Sequence, residues 1–152
     1  MAEKKLEGAG LRGQVAGKTS LSTVGKAGKG LTYRGYEIEV LAEKASFEEV
    51  AYMLLYGNLP NQEEFNTYSA KLKKLRALPS ELKEVLENIP ASAHPMDVMR
   101  TGCSMLGNLE PEGEFTNQNS SADRILASMA SIIVYWYKSV SYTHLRAHET
   151  YP

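Results

Sequence analysis

The amino-acid sequence predicts a mainly α-helical protein in which a short extended or β-hairpin segment precedes a helical array. Three observations support this fold class. Apolar residues recur at spacings of three and four in successive stretches after Lys44, and capping residues or prolines stand at the ends of those stretches. Strand-like alternation is confined to one stretch, Leu31 to Leu41. With 152 residues, the chain has the length of a single domain.

The glycine-rich start of the chain disfavours helix. The first thirty residues hold seven of the twelve glycines, a composition typical of turns and short strands. The stretch LTYRGYEIEVL then alternates Tyr, Ile and Val in part around Arg34 and Gly35. This pattern predicts a small hairpin or an extended segment leading into helix, and no long sheet.

The first regular helix signal begins at Ser46. Ser46 and Glu49 have the spacing of a capping box, and Gly57 is a suitable left-handed terminator for the helix between them. The motif LPN, Leu59 to Asn61, breaks the chain and supplies the cap of a second, more polar helix. The apolar face of that second helix consists of Phe65, Tyr68, Leu72 and Leu75.

The second helix ends in the basic run KLKKLR, which suits the negative end of a helix dipole, and Pro79 stops it. Ser80 is predicted to cap a third helix that Pro90 ends. Pro95 is well placed as the first residue of a fourth helix, whose methionines and leucines cover more than half of its circumference.

Ser120 and Asp123 are predicted to open a fifth helix after a polar loop. From Ile132 to Tyr137 this helix is apolar on almost every side. Such a helix belongs in the interior of a larger protein, since four shorter amphipathic neighbours cannot cover it. We therefore expect the chain to be part of a longer polypeptide.

Composition excludes several classes of function. The net charge is −1, which offers no bulk attraction to nucleic acid or to an anionic membrane. The longest apolar run, Ala127 to Trp136, is about half of a bilayer span. The single cysteine, Cys103, excludes an internal disulfide, and the start of the chain lacks the apolar core of a signal peptide. A cytoplasmic location is expected.

Two glycine motifs resemble phosphate loops without the required context. GAGLRG, Gly8 to Gly13, fits G-x-G-x-x-G, but no buried strand precedes it. GQVAGKT, Gly13 to Thr19, has three residues between its glycines where a P-loop has four. The later glycines around Lys26 and Lys29 are interpreted as a solvated turn. No dinucleotide or nucleotide cofactor is predicted.

No metal site and no catalytic residue is predicted from the side chains. Cys103 stands among Met and Leu without a basic partner, so it is interpreted as a small core residue. His94 precedes Pro95 at the start of a helix, where it could cap or hydrogen-bond, and a structural role is favoured over a catalytic one. His144 and His148 have the H-x3-H spacing of zinc ligands, but a third ligand is absent near them.

Three blocks of the sequence together resemble the citrate synthase family, most closely its 2-methylcitrate synthase branch. They are YRGY at Tyr33 to Tyr36, the turn GNLP at Gly57 to Pro60, and HPMDVMRT at His94 to Thr101. The similarity runs from about Gly10 to Lys138 and corresponds to the amino-terminal part of the family's fold. Residues 1–138 are thus expected to be an incomplete piece of a large helical domain.

The resemblance implies a condensing enzyme. In the family, an acyl-CoA, propionyl or acetyl, is enolised, attacks the keto carbon of oxaloacetate, and the thioester is hydrolysed, in the tricarboxylic acid cycle or in propionate catabolism. It also implies a cytoplasmic homodimer with acyl-CoA as substrate and no other cofactor. The family's aspartate and two histidines fall in the later half of the polypeptide, so this chain alone is expected to be inactive.

One site residue follows from the resemblance. A basic position after the LP turn contacts substrate in some relatives, which places a substrate contact at Lys73; a solvated lysine is the alternative. The fourth and fifth helices are expected to face a second subunit. A non-catalytic helical interaction module is the alternative to the enzyme.

The last fourteen residues are expected to be foreign to the protein. VSYTHLRAHET, Val140 to Thr150, looks like the translation of a sequencing adapter. Residues 139–152 are therefore interpreted as a non-native tail, and its two histidines as having no selected role.

Overall fold

A computed structural model describes residues 17–25, 30–114 and 117–149 of the chain, with side chains up to Ser141. This part of the chain contains three short strands and six helices, which confirms the mainly α prediction. The molecule divides into two compact units, Met1–Asn58 and Leu59–Pro152. The glycine motif at Gly8 to Gly13, most of the one at Gly13 to Thr19, and Lys26 and Lys29 lie outside the described residues.

The first unit contains an antiparallel sheet with the strand order β1-β2-β3. Its strands are β1 (Ser22–Val24), β2 (Leu31–Tyr33) and β3 (Tyr36–Glu37). The turn between β2 and β3 consists of Arg34 and Gly35, with φ angles of 50° and 91°. Positive φ at both central residues gives a two-residue turn the twist that hairpin strands need, and glycine accepts it without steric cost. The predicted short hairpin is confirmed.

Helix α1 (Ile38–Lys44) follows the hairpin directly, and α2 (Phe47–Tyr56) follows α1. The capping box of α2 is formed as predicted: Ser46 Oγ accepts from the Glu49 amide at 3.3 Å, and the Ser46 amide donates to Glu49 Oε2 at 2.7 Å. Hydrogen bonds from the Ser46 amide and hydroxyl hold the pKa of Glu49 below its ordinary value. Gly57 ends α2 with a φ of 110°. Arg34 donates to the Leu54 carbonyl at 2.9 Å, which ties the hairpin to the last turn of α2.

The second unit is a helical array around its longest helix. Its elements are α3 (Gln62–Leu75), α4 (Ser80–Glu87), α5 (Pro95–Leu109) and α6 (Gln118–Glu149). Helix α6 packs against each of the other three. The core lies between α4, α5 and α6, and consists of Leu82, Leu86, Val98, Leu106, Ile132 and Trp136.

Two details show how closely α6 fits its neighbours. Gly102 of α5 is buried where a Cβ atom would stand 2.6 Å from Ile132 Cγ2, so only glycine allows this approach. Trp136 is 4% exposed, and its indole Nε1 donates to the Ile89 carbonyl at 3.2 Å just after α4. Both contacts fix α6 against α4 and α5 at the level of single atoms.

Of the other four predicted helix starts, two are confirmed and two are wrong. Asn61 caps α3 through its Oδ1, which accepts from the amides of Glu63 and Glu64 at 3.0 Å. Pro95 is the first residue of α5, as expected. Ser80, however, is the first residue of α4 rather than its cap, because Pro79 occupies the cap position and the Ser80 hydroxyl bonds to Glu81.

The capping role predicted for Ser120 and Asp123 is also wrong. Helix α6 begins at Gln118, so both residues lie inside it. Asp123 is completely buried, and its carboxylate accepts hydrogen bonds from side chains of α3. Neither residue is the N-cap, since that position precedes the first helical residue.

Helix α6 also carries apolar side chains that the described residues leave exposed. Ile132 is fully buried, whereas Val134 is 51% exposed and Tyr137 is 64% exposed. This agrees with the expectation that four shorter helices cannot enclose it. In the part of the chain that the structure describes, no helix combines the length and the hydropathy that a membrane crossing requires.

Candidate functional site

Lys73, the predicted substrate contact, lies in the last turn of α3 with an exposed side chain. Lys74 and Arg76 are also exposed there, so the end of α3 presents positive charge to solvent. A charged lysine in this position can form an ion pair with a carboxylate or a phosphate. The same charge also complements the helix dipole, which is the alternative role for it.

A buried carboxylate joins α3 to α6 directly beside this basic turn. Asp123 is 0% exposed and accepts two hydrogen bonds from α3: one from the Tyr68 hydroxyl to Oδ1 at 2.9 Å, and one from Lys71 Nζ to Oδ2 at 2.5 Å. The Lys71 side chain is 44% exposed, so its charge lies at the edge of the interface. Both Asp123 oxygens are engaged, which makes this carboxylate a structural anion rather than a free base.

The next residue of α6, Arg124, makes a second connection to α3. Its Nη1 donates to the Leu75 carbonyl and, at 3.0 Å, to the Ala77 carbonyl, where α3 has just ended. Its Nε and Nη2 donate to the two carboxylate oxygens of Glu110 at 2.7 Å each. These hydrogen bonds hold the pKa of Glu110 below its ordinary value. One guanidinium therefore links the ends of α3 and α5 to α6.

A pocket of about 500 Å³ opens beside Arg124, between the end of α5 and the start of α6. Its apolar wall consists of Leu75, Cys103, Leu106 and Ile125. Its polar rim includes Glu110, Glu112, Asn117, Ser120, Ser121 and Arg124. Among the described residues that line this pocket, Arg124 is the one with a cationic side chain, and its guanidinium is bonded to Glu110 and to two carbonyls.

The remaining candidate residues behave as structural groups or lie outside the described side chains. His94 Nδ1 accepts from the Met96 amide at 3.2 Å, so His94 caps α5 as predicted. Cys103 is partly buried on α5 and lines the pocket wall. His144 and His148 fall within α6, but their side chains are not among those described. Among the described residues, no three His, Cys, Asp or Glu side chains cluster closely enough to hold a metal ion.

Asp123 and Arg124 are the polar residues whose roles the sequence interpretation missed. A signal for Asp123 was present in the sequence. Asp123 lies on the buried side of α6, one turn before Ala127 and Ser128, and a buried carboxylate requires a hydrogen-bond or ion-pair partner. The spacing to Ser120 suggested a cap instead. No local pattern marks Arg124, because its partners are 14 to 49 residues away in sequence.

Comparison with known proteins identifies the family. The sequence profile of the citrate synthase family, described as "Citrate synthase, C-terminal domain", matches residues 10–151. The chain is 66% identical over 135 residues to the 2-methylcitrate synthase of Shewanella oneidensis, covering 89% of this chain and 36% of that protein. It is 41% identical over 103 residues to 2-methylcitrate synthase 1 of Corynebacterium glutamicum, covering 68% of this chain and 27% of that protein.

Solved structures agree with the sequence relatives. The citrate synthase of Thermotoga maritima matches with a TM-score of 0.74 and 32% identity over 88% of this chain and 35% of its own. The citrate synthase of Thermoplasma acidophilum, solved with carboxymethyl coenzyme A and oxaloacetate, matches in fold with a TM-score of 0.75, at 24% identity over 88% of this chain and 36% of its own.

The chain spans about a third of the length of the Shewanella oneidensis and Thermotoga maritima proteins, 36% and 35% respectively. The profile is named after the C-terminal domain, whereas the sequence blocks predict an amino-terminal position, which stays a prediction. The identity to two 2-methylcitrate synthases, the profile match and the shared fold converge on one conclusion. The chain belongs to the citrate synthase family.

Proposed function

We propose that this chain is the amino-terminal part of a 2-methylcitrate synthase or citrate synthase. The complete enzyme condenses propionyl-CoA or acetyl-CoA with oxaloacetate and hydrolyses the resulting thioester. The single observation that carries this proposal is the 66% identity to a 2-methylcitrate synthase over 135 residues. It is supported by the coverage of only 36% of that relative, which leaves most of an enzyme outside this chain.

In this proposal, the chain supplies helical scaffold and no catalytic group. The reaction needs a carboxylate to remove a proton from the acyl group, and histidines to stabilise the enol and polarise the ketone. The described residues offer no such set: the Asp123 carboxylate is buried in an ion pair, and the His94 imidazole caps a helix. Lys73 is the one residue assigned a substrate contact.

The test uses the complete gene, recovered from uncontaminated source DNA. The full-length protein is expected to release CoA thiol when it receives oxaloacetate with propionyl-CoA or acetyl-CoA, and the 152-residue chain is expected to release none. Activity of the chain alone would contradict the scaffold role. Inactivity of the full-length protein with both thioesters would contradict the enzyme.

We also propose that the complete enzyme is a cytoplasmic homodimer serving propionate catabolism or the tricarboxylic acid cycle. The uncovered face of α6, where Val134 is 51% and Tyr137 64% exposed, supports a second subunit or further helices of the same enzyme packing there. Sedimentation of the full-length protein tests the dimer. A monomer at micromolar concentration would contradict it.

The proposed boundary between native and foreign sequence lies between Lys138 and Ser139. Only the likeness of Val140 to Thr150 to an adapter translation supports this boundary; helix α6 continues to Glu149, and the family profile extends to residue 151. Sequencing the gene decides the question, because a native frame continues past Lys138 with different residues. A stop codon near Ser139 would instead favour a self-contained interaction module.

A further inference from the structure

The ion pair between α3 and α6 lies two residues from the proposed substrate contact on α3. We infer that Asp123 is a positioning residue for Lys73: its buried carboxylate sets the rotation of α3, and thereby the direction in which the Lys73 ammonium meets an anionic group of the substrate. This inference rests on the proposed function, in which Lys73 contacts substrate. It adds Asp123 and Lys71, which contact no substrate themselves, to the groups that determine binding.

Asp123 contacts α3 through two hydrogen bonds. The carboxylate receives bonds from Tyr68 and Lys71, at 2.9 and 2.5 Å, and these residues are three apart on α3. Residues at this spacing lie on one face of a helix, one turn apart. Rotating or sliding α3 by one residue would therefore break at least one of these two bonds to a buried carboxylate, which is costly.

Arg124 holds α3 on the other side of Lys73. Arg124 Nη1 donates to the carbonyls of Leu75 and Ala77, which follow Lys73 in the chain. Lys73 thus lies between two fixed points, Lys71 and Leu75. Because a helix turns about 100° per residue, a slip of α3 by one residue would rotate the Lys73 side chain by about that angle.

The two lysines near the end of α3 differ in their surroundings. The Lys71 ammonium is paired with Asp123 at 2.5 Å, whereas Lys73 is exposed to solvent. A binding residue has to be held within about 0.5 Å of its working geometry. Oxaloacetate offers carboxylates and an acyl-CoA offers phosphates, and both are anions that an ammonium group can bind. In this inference, Lys73 binds an oxyanion of one of the two substrates.

The experiment uses the full-length enzyme with variants of the two lysines. Lys71→Met removes the cation but keeps the aliphatic stem, which suits a side chain that is 44% exposed. Lys71→Arg restores the charge. Dissociation constants are measured by calorimetry for oxaloacetate and, separately, for CoA, which identifies the substrate that Lys73 contacts. Thiol release from the acyl-CoA is followed in parallel.

The expected result is a coupled effect. Lys71→Met weakens binding of one of the two ligands by about fivefold, Lys71→Arg restores it to within about twofold, and Lys71→Met has no further effect when Lys73→Ala is already present. The control is Asp97→Asn, which breaks the exposed Asp97–Arg100 pair of 2.8 Å on α5 and is expected to leave both dissociation constants unchanged.

Three results would overturn the inference: additive effects of the two lysine variants, unchanged binding in Lys71→Met, or no binding of either ligand to the unmodified enzyme. Failure of the proposed function gives a different result. In that case both ligands bind but no thiol is released, and the binding measurements still decide whether Lys71 acts through Lys73.

Discussion

Helix α6 contacts its neighbours through two different kinds of surface. Toward α4 and α5 it presents Ile132 and Trp136, which join a closed apolar core. Toward α3 it presents Asp123 and Arg124, which form an ion pair and a set of hydrogen bonds. The apolar side gains stability from buried area and from close packing. The polar side fixes one rotation of α3, because its bonds are lost when the donors move.

The comparison predicts that the largest loss of stability follows from truncation on the apolar side. Leu86→Ala removes a fully buried side chain of the core, and the cavity left behind should lower the free energy of unfolding by about 2–5 kcal/mol. Urea denaturation followed by circular dichroism measures this loss. Glu84→Ala on the exposed side of the same helix is the control, with a change below about 0.5 kcal/mol.

On the polar side, Asp123→Ala should cost about 2–3 kcal/mol of unfolding free energy. The substitution removes the carboxylate acceptor of the Tyr68 hydroxyl, and Tyr68 is only 4% exposed, while Lys71 can still reach solvent. The same urea titration checks the value. A loss below about 0.5 kcal/mol would mean that the polar side of α6 contributes as little as a surface ion pair.

Gly102→Ala tests how little room the apolar side has. A methyl group at this position meets Ile132 Cγ2 at 2.6 Å, so we expect a loss of about 1–3 kcal/mol from overpacking, in spite of the higher helix propensity of alanine. Gly107→Ala is the matched control on the same helix, because nothing lies within 4 Å of a Cβ there. The control should be stabilised by up to about 1 kcal/mol. Equal effects in the two variants would contradict the close packing.

The smallest effect is expected for Glu110→Gln, and it should depend on pH. Hydrogen bonds from Arg124 lower the pKa of Glu110 in the folded chain, so the carboxylate stabilises the fold above the unfolded pKa of about 4.5. Because the Glu110 side chain is 42% exposed, the contribution at pH 7 should be only about 0.5 kcal/mol. The difference between variant and unmodified chain should vanish as pH falls through the folded pKa. A difference that persists or grows in acid would exclude the ion pair as its source.

The two sides of α6 also differ in how well the sequence predicts them. The apolar side follows from periodicity, since Ile132, Trp136 and the leucines of α4 recur at helical spacing. The helix starts at Ser46, Asn61 and Pro95 follow from cap chemistry that involves only near neighbours. The structure confirms these three starts, whereas the same local rules were wrong at Ser80 and at Ser120.

The polar side was not predictable in detail, because it depends on pairs distant in sequence. Tyr68 and Asp123 are 55 residues apart, and the local spacing of Asp123 to Ser120 fits a cap equally well. Ser80 shows the same ambiguity, since its sequence position suits either the cap or the first helical residue of α4. The substrate contact at Lys73 rests on family resemblance alone, because an exposed lysine has no pattern that separates binding from solvation.

The fluorescence of Trp136 reports on the packing of α6 against the end of α4. Trp136 is the single tryptophan, it is 4% exposed, and its Nε1 bonds to the Ile89 carbonyl. Its fluorescence should be blue-shifted while α6 is seated on α4, and should shift to the red when that contact opens. Separation of α6 from α4 can therefore be followed by fluorescence without any added dye.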